Sequence, residues 1–174
     1  MNDVTECRTF YGKYRGMVVN NIDPEQRGRI QVIVPDVSNF AFTAWAMPCI
    51  PVGGQQSGFF TVPPMGSGVW VEFEQGDLDF PVWVGCYWGS SSEIPSLARM
   101  LPPGLGGVAM QTTGQNGVLL SDVPGPTGGI MLKSAGGASV VVNDTGIYLT
   151  NGKGASITLV GKTVDVNAGA LTVI

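Results

Sequence analysis

From Ile130 onward the chain alternates. IMLKS, ASVVVN, GIYLT, SITLV, TVDVN and ALTVI each carry two apolar residues separated by one. The pairs are Ile130/Leu132, Val140/Val142, Ile147/Leu149, Ile157/Leu159, Val164/Val166 and Leu171/Val173, with first members 10, 7, 10, 7 and 7 residues apart. Period-two alternation predicts strands with one apolar face. The segments between them, AGGA, NDTG, NGKGA, GK and NAG, are turn chemistry, and internal repetition of this kind predicts a β-helical array over 130–174. The positions inside the later pairs, Tyr148, Thr158, Asp165 and Thr172, are mostly polar, so the apolar face is single. About 45 residues with such a face are near the lower size limit for a domain folding alone. Three copies wound about a threefold axis would bury the strip and leave no long sheet edge exposed, which predicts an intertwined, trimeric β-helix with the paired residues at its axis.

The first half has a different pattern. YGKYRGMVVNN, GRIQVIV, SGFFTVP, GVWVEFEQ and PVWVGCYW read as five strands rich in valine and aromatic residues. They predict a small closed barrel of OB type over 10–89, its aromatic core supplied by Trp45, Trp70, Trp83 and Trp88. Residues 1–9 precede it as an extension. The charged stretch from Asp23 to Arg29 connects the first two strands, with Arg27 and Arg29 expected in solvent. Residues 90–129 have linker composition, with one helical turn expected at Leu97–Leu101 and a short strand in VLLSDV.

Composition supports an all-β reading and narrows the chemistry. With 26 glycines, 12 prolines and 44% hydrophobic residues, the chain is too apolar for disorder and too rich in breakers for helices. The net charge of −4 and pI near 4.6 lack a nucleic-acid footprint. No apolar run approaches the ~20 residues of a membrane span, and the acidic start MNDVTECRTF is not that of a secretory signal. Cys7, Cys49 and Cys86 are expected as reduced thiols in a protein made in the cytoplasm, the last two as small core fillers.

The chain has no histidine, which removes Ser-His-Asp, Cys-His and most zinc chemistry. Glu72, Glu74, Asp77 and Asp79 could suggest paired carboxylates. Glu72 and Glu74, however, alternate with Val71 and Phe73 on the solvent side, and QGDLD reads as a hairpin loop. GLGG and GQNG lack the helix or Lys-Ser/Thr that phosphate cradling requires. The expectation is a protein that is not an enzyme and has no cofactor and no metal.

Three stretches together carry a resemblance: YRGMVVNNIDPEQRGRIQVIVPDV, then WAMPCIP, then PPMGSGVWVEFEQGDLDFPVWVGCYWG. They resemble the OB domain of contractile-tail spike proteins, both the phage baseplate assembly protein V group and the matching part of valine-glycine-repeat protein G of type VI secretion. The repeat tail is similar to the β-helical needle of the same family. The resemblance implies a homotrimeric, membrane-piercing spike in the baseplate of a phage tail or injection particle, driven into a target cell envelope. It further implies a threefold hub on the OB side, for which Asp23, Glu25 and Arg27 are the candidate contacts, and some 40 residues between barrel and needle leave no room for the lysozyme domain of some relatives. At the needle end it implies a PAAR-type tip protein, expected on Gly169, Ala170, Leu171, Thr172, Val173 and Ile174. Two rival readings remain: an OB module binding single-stranded nucleic acid, disfavoured by five basic residues against nine acids through residue 90, and a β-helical tail-fibre or adhesin fragment.

Overall fold

The computed structural model describes residues 9–38 and 41–173; Cys7 and Ile174 lie outside them. The chain divides into two compact units, Met1–Ser91 and Ser92–Ile174.

The first unit is a curled sheet. Its strands are β1 (Tyr14–Asn20), β2 (Gln31–Ile33), β3 (Met47–Pro48), β6 (Gly68–Phe73) and β7 (Pro81–Tyr87), in the order β2-β1-β6-β7-β3. A one-turn helix, α1 (Pro35–Ser38), follows β2, and a two-stranded ribbon, β4 (Gly53–Gly54) with β5 (Ser57–Gly58), stands outside the sheet. Neighbours pair antiparallel except β3, which runs parallel to β7. Bridges between Ile30 and Ala46 and between Ile33 and Phe42 bring the segment leading into β3 back against the β2 edge, so the sheet closes on itself. Alternation decides what enters: Val69, Val71 and Phe73 of β6 point inward and meet Val18, Ile30, Val32, Val34 and Trp83.

The aromatic core expected from the sequence is largely aliphatic. Of the four tryptophans only Trp83 is buried, its Nε1–H donating to the Gly28 carbonyl at 3.1 Å, while Trp88 is exposed. The cysteines are also corrected. Cys49 and Cys86 are exposed rather than core fillers; a register shift opposite Trp70–Val71 breaks the alternation of β7 before Cys86.

The second unit is one antiparallel meander of eight strands, paired in sequence order. These are β8 (Gly107–Gln111), β9 (Gly117–Ser121), β10 (Gly129–Lys133), β11 (Ser139–Asn143), β12 (Gly146–Thr150), β13 (Ser156–Val160), β14 (Thr163–Val166) and β15 (Leu171–Val173). Where the sequence predicts a linker with one short strand in VLLSDV, that strand is β9 and the sheet begins earlier still, at Gly107. In β8 and β9 the second face is apolar too (Ala109, Leu119), which erases the alternation that marks the later strands. Leu97, ahead of a 3-10 turn at Ala98–Met100, is buried with Leu119. Its N–H donates to Gln111 Oε1 at 2.9 Å, fastening this segment to β8. Asparagines close the turns: Asn143 Oδ1 accepts from the N–H groups of Thr145 and Gly146, and Asn151 Oδ1 from those of Lys153 and Ala155.

Candidate assembly surfaces

The loop between β1 and β2 is polar because one carboxylate organises it. Asp23 Oδ1 accepts from the Glu25 N–H at 3.0 Å, and Oδ2 accepts from the Arg27 and Arg29 N–H groups at 2.8 and 3.3 Å. Arg29 also donates to Oδ1 through Nε at 3.1 Å and Nη2 at 2.6 Å. The Asp23 side chain is only 4% exposed and that of Arg29 13%, so both are internal. The Arg29 hydrogen bonds hold the Asp23 carboxyl well below the usual carboxylate range, with backbone N–H groups adding to the effect, and Asp23 raises the guanidinium in return. The guanidinium carbon lies 5.5 Å from the Trp45 ring centroid.

This arrangement corrects the expectation that Arg29 is solvated, and it removes Asp23 from the surface available to a partner. Glu25 and Arg27 remain exposed, joined by an ion pair at 3.2 Å, while Glu25 also reaches Arg29 Nη2 at 3.0 Å. Three of the sequence-selected loop residues therefore have two roles: Asp23 holds the turn, and Glu25 and Arg27 face outward. The acidic cluster does not converge. Glu72 pairs with Lys13 across the sheet surface, and among the described residues no three His, Cys, Asp or Glu side chains gather in a metal-type group.

The larger surface is in the meander. Cross-strand register aligns the apolar pairs into two continuous ladders. One runs Val108, Leu120, Ile130, Val142, Ile147, Leu159, Val164, Val173. The other runs Met110, Val118, Leu132, Val140, Leu149, Ile157, Val166, Leu171. All sixteen lie on one face, and all are apolar. The six pairs read from the sequence are brought together as expected, and four residues of β8 and β9 that sequence reasoning missed (Val108, Met110, Val118, Leu120) extend the ladders.

In one chain this face meets water: twelve of the sixteen side chains are exposed. Together they leave the equivalent of about five whole aliphatic side chains uncovered, on the order of 10 kcal/mol per chain at 1.5–3 kcal/mol each. That equals the whole stability of an ordinary domain. A face of this size and regularity marks an association surface. Beyond Val166, Gly169 and Ala170 form the turn into β15, whose Leu171, Thr172 and Val173 are exposed and which pairs only with β14.

A closed OB-type barrel followed by an antiparallel array that cannot cover its own apolar face defines a class: the trimerising spikes of injection machines. Comparison with known families agrees for both units. Residues 14–88 match the type VI secretion system/phage-baseplate injector OB domain, and residues 107–172 match the phage baseplate V C-terminal trimerisation domain. The chain belongs to the phage baseplate V family of spike proteins. No curated protein matches it. Both matched families are structural, and the trimerisation domain makes the protein a homotrimer associated with a baseplate or injection particle. Among the described residues no helix is long and apolar enough to cross a membrane.

Proposed function

We propose that the protein is the membrane-piercing central spike of a contractile injection machine, built as a trimeric β-needle on three OB barrels. The observation that carries this reading is the sixteen-residue apolar face. A trimer that turns three such faces toward one axis converts an insoluble surface into a dry core with every strand paired. Eight strand layers at about 4.7 Å give a needle roughly 38 Å long. Stiffness follows from backbone pairing and interdigitated side chains rather than from crosslinks, as a puncturing element requires. The role is mechanical, without catalysis or cofactor.

The barrel side attaches to a separate threefold hub, with Glu25 and Arg27 at the rim of the contact. At the other end, β15 offers an unpaired strand edge and two exposed aliphatic side chains, a surface that invites strand addition. A PAAR-type tip protein docking over Gly169–Val173 would cover it. Light scattering and negative-stain imaging of the purified full chain test the proposal. A trimer mass with a rod and a wider head is expected; a well-folded monomer ends it. One tip protein per three chains, lost when β15 is deleted, tests the docking site.

A further inference from the structure

The longest uncharged stretch of the chain contains the most exposed aromatic side chain among the described residues, Phe60. Between Asp36 and Glu72 no residue carries charge. Within this stretch the β4–β5 ribbon projects from the barrel, flanked by Ile50, Val52, Phe59 and Phe60. Val52 is 65% exposed and Phe60 71% exposed. The ribbon has a defined backbone: Phe59 N–H donates to the Val52 carbonyl at 3.0 Å. Gly58 has φ +147°, where a Cβ would stand 2.7 Å from that same oxygen. Its own strands are Gly-Gly and Ser-Gly, which bury nothing, and a two-stranded hairpin is marginal in water by itself. A specified loop that displays phenylalanines, with Phe60 resting only edgewise near Gly28, has apolar surface left for an outside partner.

We propose that this surface is the neighbouring copy of the same chain, so that the barrels associate through their β4–β5 ribbons. The inference rests on the trimer. Two observations select a second copy over a different protein. First, each barrel is joined to one trimeric sheet through the short connection at Ser91–Ser92, which holds the three at about millimolar effective concentration and lets a small apolar patch suffice. Second, a ribbon-to-ribbon contact close to the threefold axis places each side chain near its own copies, so a charge there would meet like charge. A heterologous partner could compensate charges with opposite ones; a self-contact is best served by having none, as here.

The test uses the full chain with Cys7, Cys49 and Cys86 replaced by serine and a single cysteine introduced as Gln56→Cys at the ribbon tip. Treated with a short bismaleimide, the trimer is expected to crosslink between copies at least fivefold more than the same background carrying Asp79→Cys on the β6–β7 loop. Adding Phe59→Ser and Phe60→Ser should abolish the difference while light scattering still reports a trimer. Equal crosslinking at the two positions, or crosslinking of Gln56→Cys to an added hub protein in preference to its own copies, overturns the proposal. A monomer mass in the parent background would instead overturn the trimer itself, so the two failures are distinguishable.

Discussion

Replacing Ile157 with Asp strikes the apolar face in the middle of the later strands. Ile157 pairs with Leu149 on one side and Val166 on the other, and 41% of it is exposed in the single chain. In the trimer an aspartate there must either stay charged in an apolar interior or take up a proton. Protonating a carboxyl of ordinary pKa about 3.9 at pH 7 costs about 1.36 kcal/mol per unit, ~4 kcal/mol per chain and ~12 kcal/mol for three. Lost aliphatic burial adds about 1 kcal/mol per chain. The gross apolar drive is about 30 kcal/mol per trimer, less two association steps at roughly 4–15 kcal/mol each. A penalty of ~15 kcal/mol consumes the remaining margin.

Ile157→Asp is therefore expected to elute as a monomer or aggregate at pH 7 by size-exclusion chromatography with light scattering. At pH 4 the carboxyl is about half protonated already, the charge penalty falls below ~1 kcal/mol per chain, and trimer should reappear. Asp23, held ionised by Arg29, keeps the barrel turn intact at that pH. Ile157→Asn supplies a neutral control whose oligomeric state should be the same at both pH values, and Ile157→Val, costing about 1 kcal/mol, should remain trimeric. A trimer of Ile157→Asp at pH 7 with parental mass and melting temperature would refute the assignment of this face to the threefold axis.

Asp23→Asn should lower the melting temperature of the barrel at pH 7. Because the folded carboxyl sits below its unfolded value, its contribution is present above about pH 4 and fades as pH falls further, so the parent and variant melting curves should converge in acid. Leu97→Ala, at a buried side chain lying over Gly117, should cost the meander 2–5 kcal/mol, measured by denaturant unfolding. Gly129→Ala should unpair β10 from β11, since φ is +85° there and a Cβ would lie 2.1 Å from the Val142 carbonyl oxygen; loss of amide protection in β10 would report it. Replacing Glu25 and Arg27 together with serine should leave the trimer folded and weaken capture of the hub protein.

What the sequence made legible depended on whether each strand had one dry face or two. In β12–β15 the second face is largely polar, so alternation identified the strands and their apolar face. In β10 and β11 the paired spacing did so although Met131 and Val141 lie between, and the cross-strand register then aligned what spacing alone could not. In β8 and β9 both faces are apolar and alternation vanishes, so the sequence shows one short strand in VLLSDV among linker composition and gives no sign of β8. The Asp23 loop shows a different limit. Composition marks it as polar, but nothing in the order of its residues distinguishes a carboxylate turned inward onto Arg29 from one facing solvent. Only three-dimensional closure of the turn separates Asp23 from Glu25. The β7 register shift is similarly silent, which is why Cys86 looked internal.

The opposite face of the meander is graded along the array. Across the sheet from the sixteen apolar residues run Ala109, Leu119, Met131, Val141, Tyr148, Thr158, Asp165 and Thr172. This face changes from apolar to polar midway along the array. Its first part is partly covered within the chain, since Leu97 lies over Gly117 and Leu101 lies over Gly107. Its later part faces outward in polar residues suited to water. β8 and β9 therefore have local burial that owes nothing to the other copies, whereas the apolar face of β12–β15 stays largely open in the single chain. Stability along the needle should grade accordingly: strands next to the Leu97 segment can form first and align three chains, and the later strands then add one layer at a time, each covered by the same layer of two neighbours. The polar outer ladder is what keeps that growing end soluble while the inner ladders close.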